Sequence, residues 1–519
     1  MLADSDVLLP YSGTWTKQHA AHLVRRTHFG NTVADVNSAR LRGSAEAAVS
    51  AILETAKTTI LPSDPTWFTK GNSGNIDHLY DVQFRFMSRF YSGGLLERMI
   101  LFWSNLFAVS YNNMNDLPGK APSSYVNHVY KYVKLLHTGA LGEYKPFVHN
   151  MAKNSAMVYY LNNYNNSKSS PNEDFARELL ELFTLGRADK IGNPNYTEQD
   201  IAQVARSVTG WRVNNTTLAG FFDSTRFDDG TKTVFGKSGN YNLDSLVELL
   251  FTEKSDKIAW FISLKLYVFF VSAEPDQVFI QALADYMISV NFSIADVLNK
   301  LFSSAHFYEE RFMGARIKSP TEVFFGFLRH FEIEPGAQLQ EYIRLRMQAL
   351  NEELLRPDTV FGWDGYNPPK SDGIPGHYAW LNTNLLPSRW NNLTEILYGR
   401  NESGTEYNPI RLIEKMTDPD DPFSVSKTLA EHILAVPLEL TDVQETDEDF
   451  AGNPDFKPNL TGKSIQEINL TKILLGPVPW YEWRSETAAG GTRYYPTTFL
   501  VQLQAYISYL IQLPSYQHV

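Results

Sequence analysis

The chain of 519 residues contains no cysteine. Disulfides, thiolate metal sites and cysteine nucleophiles are therefore excluded, and the redox compartment stays open. Positive charge is also short: 46 Lys and Arg stand against 58 Asp and Glu, a formal net charge of −12. That balance argues against nucleic acid, whose binding needs clustered Lys and Arg, and against anionic lipid surfaces. No apolar run is long enough to span a membrane. The most apolar, Ile258–Val271, has 14 residues and contains Lys265, short of the ~20 apolar residues of a span. It reads as a buried helix. The opening MLADSDVLLPYSG has acidic residues where a signal peptide has basic ones, so no signal peptide is expected. No repeat, P-loop, Rossmann glycine set, HExxH, GxSxG or triad-like motif occurs.

What is present is helix. With 43% hydrophobic residues the chain has ample material for a large core. Its best specified stretch is Asn162–Gly186, NNYNNSKSSPNEDFARELLELFTLG. Ser170 suits an N-cap, Pro171 the first helical position and Glu173 the return bond of a capping box. Phe175, Leu179, Leu182, Phe183 and Gly186 share one apolar face. On the other face Glu173, Arg177 and Glu181 stand four apart as an ion-pair ladder, and Asp174, Glu178 and Glu181 make an acidic row. Either Glu178 or Glu181, with Arg177, lines a polar pocket as acid, base, metal ligand or substrate clamp, or this face is simply solvated. The Asn-rich lead-in is an exposed linker or a hydrogen-bonding loop over the helix.

An earlier helix runs through HAAHLVRR, with His22, Arg25 and Arg26 on one side. They form an anion-binding or catalytic cluster, or pair with acids from another helix. The reading that ties these segments together has the basic side of the first helix neutralising an inward-facing acidic side of the second. Residues 212–240 are a loop or small hairpin in which Asp228 and Lys232 are candidates for holding an ion or phosphate, although a calcium-loop spacing is not met. Ser319-Pro320-Thr321-Glu322 repeats the Ser-Pro-x-Glu start. Residues 360–392 place Trp363 and Trp380 among polar groups. Those rings, with Trp211 after the helix at Thr197, either stack on sugars or seal helical cores. Acidic stretches near 401–423 and 439–458 read as surface linkers.

In order along the chain, AAHLVRRTHFG, PNEDFARELLELFTLG, YTEQDIAQVARSVTGW, DDGTKTVFG, LKLYVFFV, IKSPTEVFFG and FGWDG…WLN resemble the motifs of the bacterial family catalogued as domain of unknown function 1800. The closing LIQLPSYQHV resembles the family's ending. The resemblance implies no established activity. It implies that many relatives are exported and that a sulfatase- or phosphatase-like protein of unknown function is a partner. Three family histidines are absent: Ser104 and Leu106 stand in FWSNLF, and Phe227 precedes Asp228. A metal or proton-transfer role resting on them is lost, although histidines two apart on a helix point about 200° apart and would not share one metal.

The expectation is an all-α, large multi-helix assembly with irregular Gly/Asn/aromatic loops and room for a small β-hairpin. Residues 1–395 form a helical core with insertions near 212–240 and 356–392, and 396–519 a C-terminal extension with a docking helix. Two functions remain. One is a binding or assembly protein with a glycan or protein partner and a structural or degenerate charged pocket. The other is an enzyme, with or without a metal, using Glu178, Glu181, Arg177 and His22, with Arg25, Arg26, Asp228, Lys232, Trp211, Trp363 and Trp380 as ligand contacts. Cofactor and metal are left unassigned.

Overall fold

The computed structural model describes residues 6–69, 76–112, 125–368, 376–399, 407–436, 458–487 and 493–519. They are mostly helical, as expected. Among the described residues, strands are confined to three two-stranded antiparallel hairpins. These are β1 (Trp211–Asn214) with β2 (Ala219–Phe222), β3 (Lys232–Val234) with β4 (Lys237–Gly239), and β5 (Glu486–Thr487) with β6 (Arg493–Tyr494). The first two fill the irregular stretch at 212–240. Among the described residues no helix is long and apolar enough to cross a membrane. Of the acidic linkers, 401–406 and 439–457 lie outside the described residues.

The chain divides into two compact units. The first is Met1–Thr14, Ser44–Tyr308 and Asn351–Ala379; the second is Trp15–Gly43, Glu309–Leu350 and Trp380–Val519. The second unit thus contains the helix Lys17–Thr27 and a central segment besides the C-terminal part of the chain.

In the first unit the apolar helix Ser255–Phe270 pairs with Gln277–Ser289. It is buried as its composition required, and Lys265 reaches Asn367 Oδ1 at 2.8 Å. In the second unit Lys17–Thr27 packs on Val33–Leu41, Pro422–Ile433 on Ile465–Leu475, and Leu385–Leu397 on the last helix, Thr497–Gln512. Its central element is Pro320–His330, whose every residue is buried. Fully burying one Leu or Phe side chain contributes ~1.5–3 kcal/mol, so this helix, with Val323, Phe324, Phe325, Phe327 and Leu328 inside, anchors the unit. It starts as the sequence indicated. Ser319 Oγ accepts from Glu322 N at 3.2 Å, and Glu322 Oε2 accepts from Ser319 N at 2.8 Å. Gly30 (φ +127°) lies so close to this helix that an added Cβ would sit 2.6 Å from Gly326 Cα. Only glycine fits that approach.

Candidate functional site

The acidic helix begins later than its sequence suggested. It spans Asp174–Glu181, and Glu173 occupies the N-cap position without a side-chain cap bond. Asparagines divert the turn: Asn166 Oδ1 takes the Asn172 amide and Asn172 Oδ1 takes the Asp174 amide, each at 2.9 Å. Asn163 and Asn166 are buried, so the lead-in is a hydrogen-bonding loop. Arg177 bonds Glu198 at 2.8 Å and Glu173 at 3.4 Å. Glu181 is buried and takes Arg187 Nε at 2.6 Å and the Tyr196 hydroxyl at 3.1 Å.

Arg25 and Arg26 sit in the other unit and bind elsewhere. Arg26 Nη2 donates to Phe312 O at 2.7 Å, and Arg25 donates to the carbonyls of Glu431 and His432, both at 3.0 Å. His22 is buried on the same helix. The expectation that this helix neutralises the acidic one is therefore corrected: nearby arginines of the acidic helix's own unit do so. Glu178 makes no ion pair among the described residues, and its Oε2 has no hydrogen-bond partner. Burial, then repulsion from Glu181, pushes its carboxyl up to about 7. A raised carboxyl costs stability wherever the folded state must ionise it, that is, as pH rises from the unfolded value of ~4.3 through the folded one. Glu178→Gln is expected to raise stability at pH 8 by about 1 kcal/mol, after discounting for partial exposure, and to leave it unchanged at pH 4. Urea unfolding at the two pH values measures this.

The remaining candidates bond or pack within the protein. Asp228 accepts Arg206 Nε at 2.7 Å and the Gly230 amide at 2.9 Å. Lys232 is buried, bonded to Asp228 O and Asn240 Oδ1, with its ammonium 4.4 Å from the Phe227 ring centre. Both are consumed in closing their loop. Trp363 and Trp380 are buried, so they seal cores and offer no face to a sugar. Trp211 is half-buried against Phe222. Phe227 packs on Phe222. Ser104 bonds Leu101 O at 2.8 Å, and Leu106 is buried. Among the described residues no group of three or more His, Asp or Glu is placed to hold a metal ion.

A different polar centre lies inside the second unit, around Asn31. Asn31 Oδ1 accepts Arg25 Nε at 3.0 Å and His330 Nε2 at 3.1 Å. Its Nδ2 faces His432 Nδ1 at 3.2 Å, and His432 Nε2 donates to His330 O at 2.9 Å. The network assigns the tautomers: both imidazoles carry hydrogen on Nε2. His330 Nδ1 is then a bare acceptor, and it is buried without a partner. Beside it lies Tyr516, ring centres 6.2 Å apart, whose buried hydroxyl is also unpartnered. The Lys318 ammonium sits 3.6 Å from the centre of the Tyr516 ring. Arg389 Nη1 donates to Lys318 O at 2.9 Å and to Gln517 Oε1 at 3.3 Å.

Charge is the unusual quantity here. Arg316 pairs with Glu322 at 3.2 Å and Arg329 with Asp35 at 2.7 Å. Neither Arg25 nor Lys318 forms an ion pair with a carboxylate among the described residues, and both are buried. Burial lowers Arg25 to about 10. Burial first, then the nearby Arg25 charge, holds Lys318 well below an ordinary lysine, against a pull from Glu322 and with a further, smaller push from Arg389. His432 is lowered to about 4 by burial, and His330 lies well below its usual value for the same cause, with Lys318 adding to it. Arg25 also lines a groove of ≈ 510 Å³ between the helices Lys17–Thr27, Pro422–Ile433 and Ile465–Leu475. Sequence reading found Arg25 but missed Lys318, His330, Arg389, His432 and Tyr516. Its one available signal was a lysine directly before a capping box that opens an apolar helix, with Arg329-His330 at the far end.

Fold and site together define a cysteine-free helical protein with a buried, under-neutralised cationic centre. The chain belongs to the family described as "Protein of unknown function (DUF1800)", whose model matches residues 22–515. No curated protein and no solved structure matches it.

Proposed function

We propose that the chain binds a small oxyanion or anionic ester at the Arg25–Lys318–His330–Tyr516 centre, admitted by way of the groove at Arg25. The observation that carries this is the pair of buried cations without carboxylate partners. An isolated buried charge costs several kcal/mol unless it is paired or neutralised, so a bound anion is the natural complement. Lys318 and the Tyr516 hydroxyl supply donors, and His330 Nδ1 an acceptor for a protonated oxygen such as that of hydrogen phosphate. Glycan stacking loses its support with Trp363 and Trp380 buried. A sulfatase- or phosphatase-like partner, implied by the family resemblance, suits this ligand chemistry, since such a protein would release it.

Isothermal titration with phosphate, sulfate and acetate tests the reading. Saturable heat is expected for phosphate or sulfate, together with a rise in melting temperature. A ligand at 100 times its Kd stabilises by ~2.7 kcal/mol. No saturable heat and no thermal shift with any of the three would refute it.

A further inference from the structure

The groove that reaches Arg25 has a chemistry of its own. On the helix Lys17–Thr27, Lys17, Ala21 and Arg25 stand four apart and line one wall. The helices Pro422–Ile433 and Ile465–Leu475 supply the others. Alanines at 21 and 430 leave the space open, and buried Leu434 and Leu470 complete an apolar floor. Gln18 and Gln466 stand at the rim, the first exposed and the second half-buried.

Arg25 is the buried end of this groove, only 6% exposed. Its Nε donates to Asn31 Oδ1, and its Nη2 to the carbonyls of Glu431 and His432. Those bonds hold the guanidinium plane in place. Nη1 donates to nothing among the described residues, and it is not sealed in the core. By elimination it is the amino group open to the groove. A donor held in this way loses little freedom on meeting an acceptor. The other charges of the lining sharpen the picture. Lys427 is neutralised by Glu467 at 3.3 Å. Lys17 makes no ion pair among the described residues, and its charge, like that of Arg25, bears on His432. Against these two free cations stands one free carboxylate, Glu431, which is exposed and therefore screened by solvent. The groove thus offers a place for one anionic group and an apolar floor beside it.

We propose that the preferred ligand is a monoester of phosphate or sulfate, with its anionic group on Arg25 Nη1 and its alcohol part, aryl or alkyl, along the floor made by Ala21, Ala430, Leu434 and Leu470. The inference rests on the anion-binding reading above and adds to it the class of ester. A bare oxyanion would leave that floor hydrated, whereas the body of an ester displaces water from apolar surface. A second anionic group further along the ligand would meet Glu431 and Glu467, so diesters of diphosphate and dicarboxylates are disfavoured.

The test is isothermal titration of the full chain with phenyl phosphate, phenyl sulfate and inorganic phosphate. A phenyl ester is expected to bind roughly 30-fold tighter than inorganic phosphate, the scale of burying one face of the ring. Gln466→Trp, which narrows the groove from its rim, should bring the ester down to the affinity of inorganic phosphate without lowering the melting temperature. Gln18→Trp, on another helix, should do the same. Phenyl esters that bind no tighter than inorganic phosphate would overturn this inference and leave the anion-binding reading standing. Failure of all three ligands would overturn both. An ester advantage that survives both tryptophan variants would put the organic part elsewhere and overturn the inference as well.

Discussion

Lys318→Met is expected to melt higher than the parent protein in anion-free buffer and to lose the thermal shift that phosphate produces. Most core substitutions destabilise, so the sign is diagnostic. The Lys318 ammonium sits over the Tyr516 ring, a place that a methionine thioether fills at similar volume with a sulfur–aromatic contact. What it removes is an ammonium that burial and the Arg25 and Arg389 charges disfavour. Replacing a buried charge by a well-packed apolar group stabilises by ~1–4 kcal/mol in comparable cases. The pH dependence follows from the same cause. The folded value is depressed, so the unfolded chain holds the proton over the window from that value up to ~10.4. Parental stability rises with pH through this window. The advantage of the variant is therefore largest below it and vanishes above ~10.4. Differential scanning calorimetry from pH 6 to 10, with and without phosphate, measures both effects. A variant that melts lower and still shifts with phosphate would remove the centre from consideration.

The second large effect is acid instability. His330, His432 and His128 are each held neutral by burial, the last two down to about 4. The unfolded chain takes up these protons near pH 6.5 and the folded one does not, so stability is lost as pH falls from ~6.5 towards 4. Each imidazole contributes at most ~1.4 kcal/mol per pH unit, so the three together give roughly 4 kcal/mol per unit at the steepest point. Glu178 opposes them weakly, since its raised carboxyl becomes less costly over part of the same range. Carboxylates with depressed values, such as Asp228, act at lower pH. Urea unfolding at pH 7, 6, 5 and 4.5 is expected to show the decline, and His432→Gln should flatten it by about one proton. Stability that is level across that range would contradict the burial of these rings as uncharged groups.

The sequence told most about helices and least about the site. Ser319-Pro320-Thr321-Glu322 announced a capping box and forms one. The matching string Ser170-Pro171-Asn172-Glu173 does not, because Asn166 and Asn172 capture the amides that a cap would have used. Local strings cannot reveal a competitor that depends on how a loop folds back. The buried run near Ile258–Val271 was legible because length and apolarity are local properties. The cationic centre was not. Arg25, Asn31, Lys318, His330, Arg389, His432 and Tyr516 come from five separate stretches of the chain, and only the fold brings them together. The acidic helix drew attention because its charges are adjacent in sequence, yet most of them find ordinary ion pairs nearby.

The contact between Gly30 and Gly326 joins main chain to main chain. Asn31 follows the first glycine, and His330 lies one turn beyond the second on the Pro320–His330 helix. Their separation is thus set by two backbones in touch, with no side chain between them to repack. For the anion site we propose, a spacing gauged in this way gives little means of widening for a larger guest.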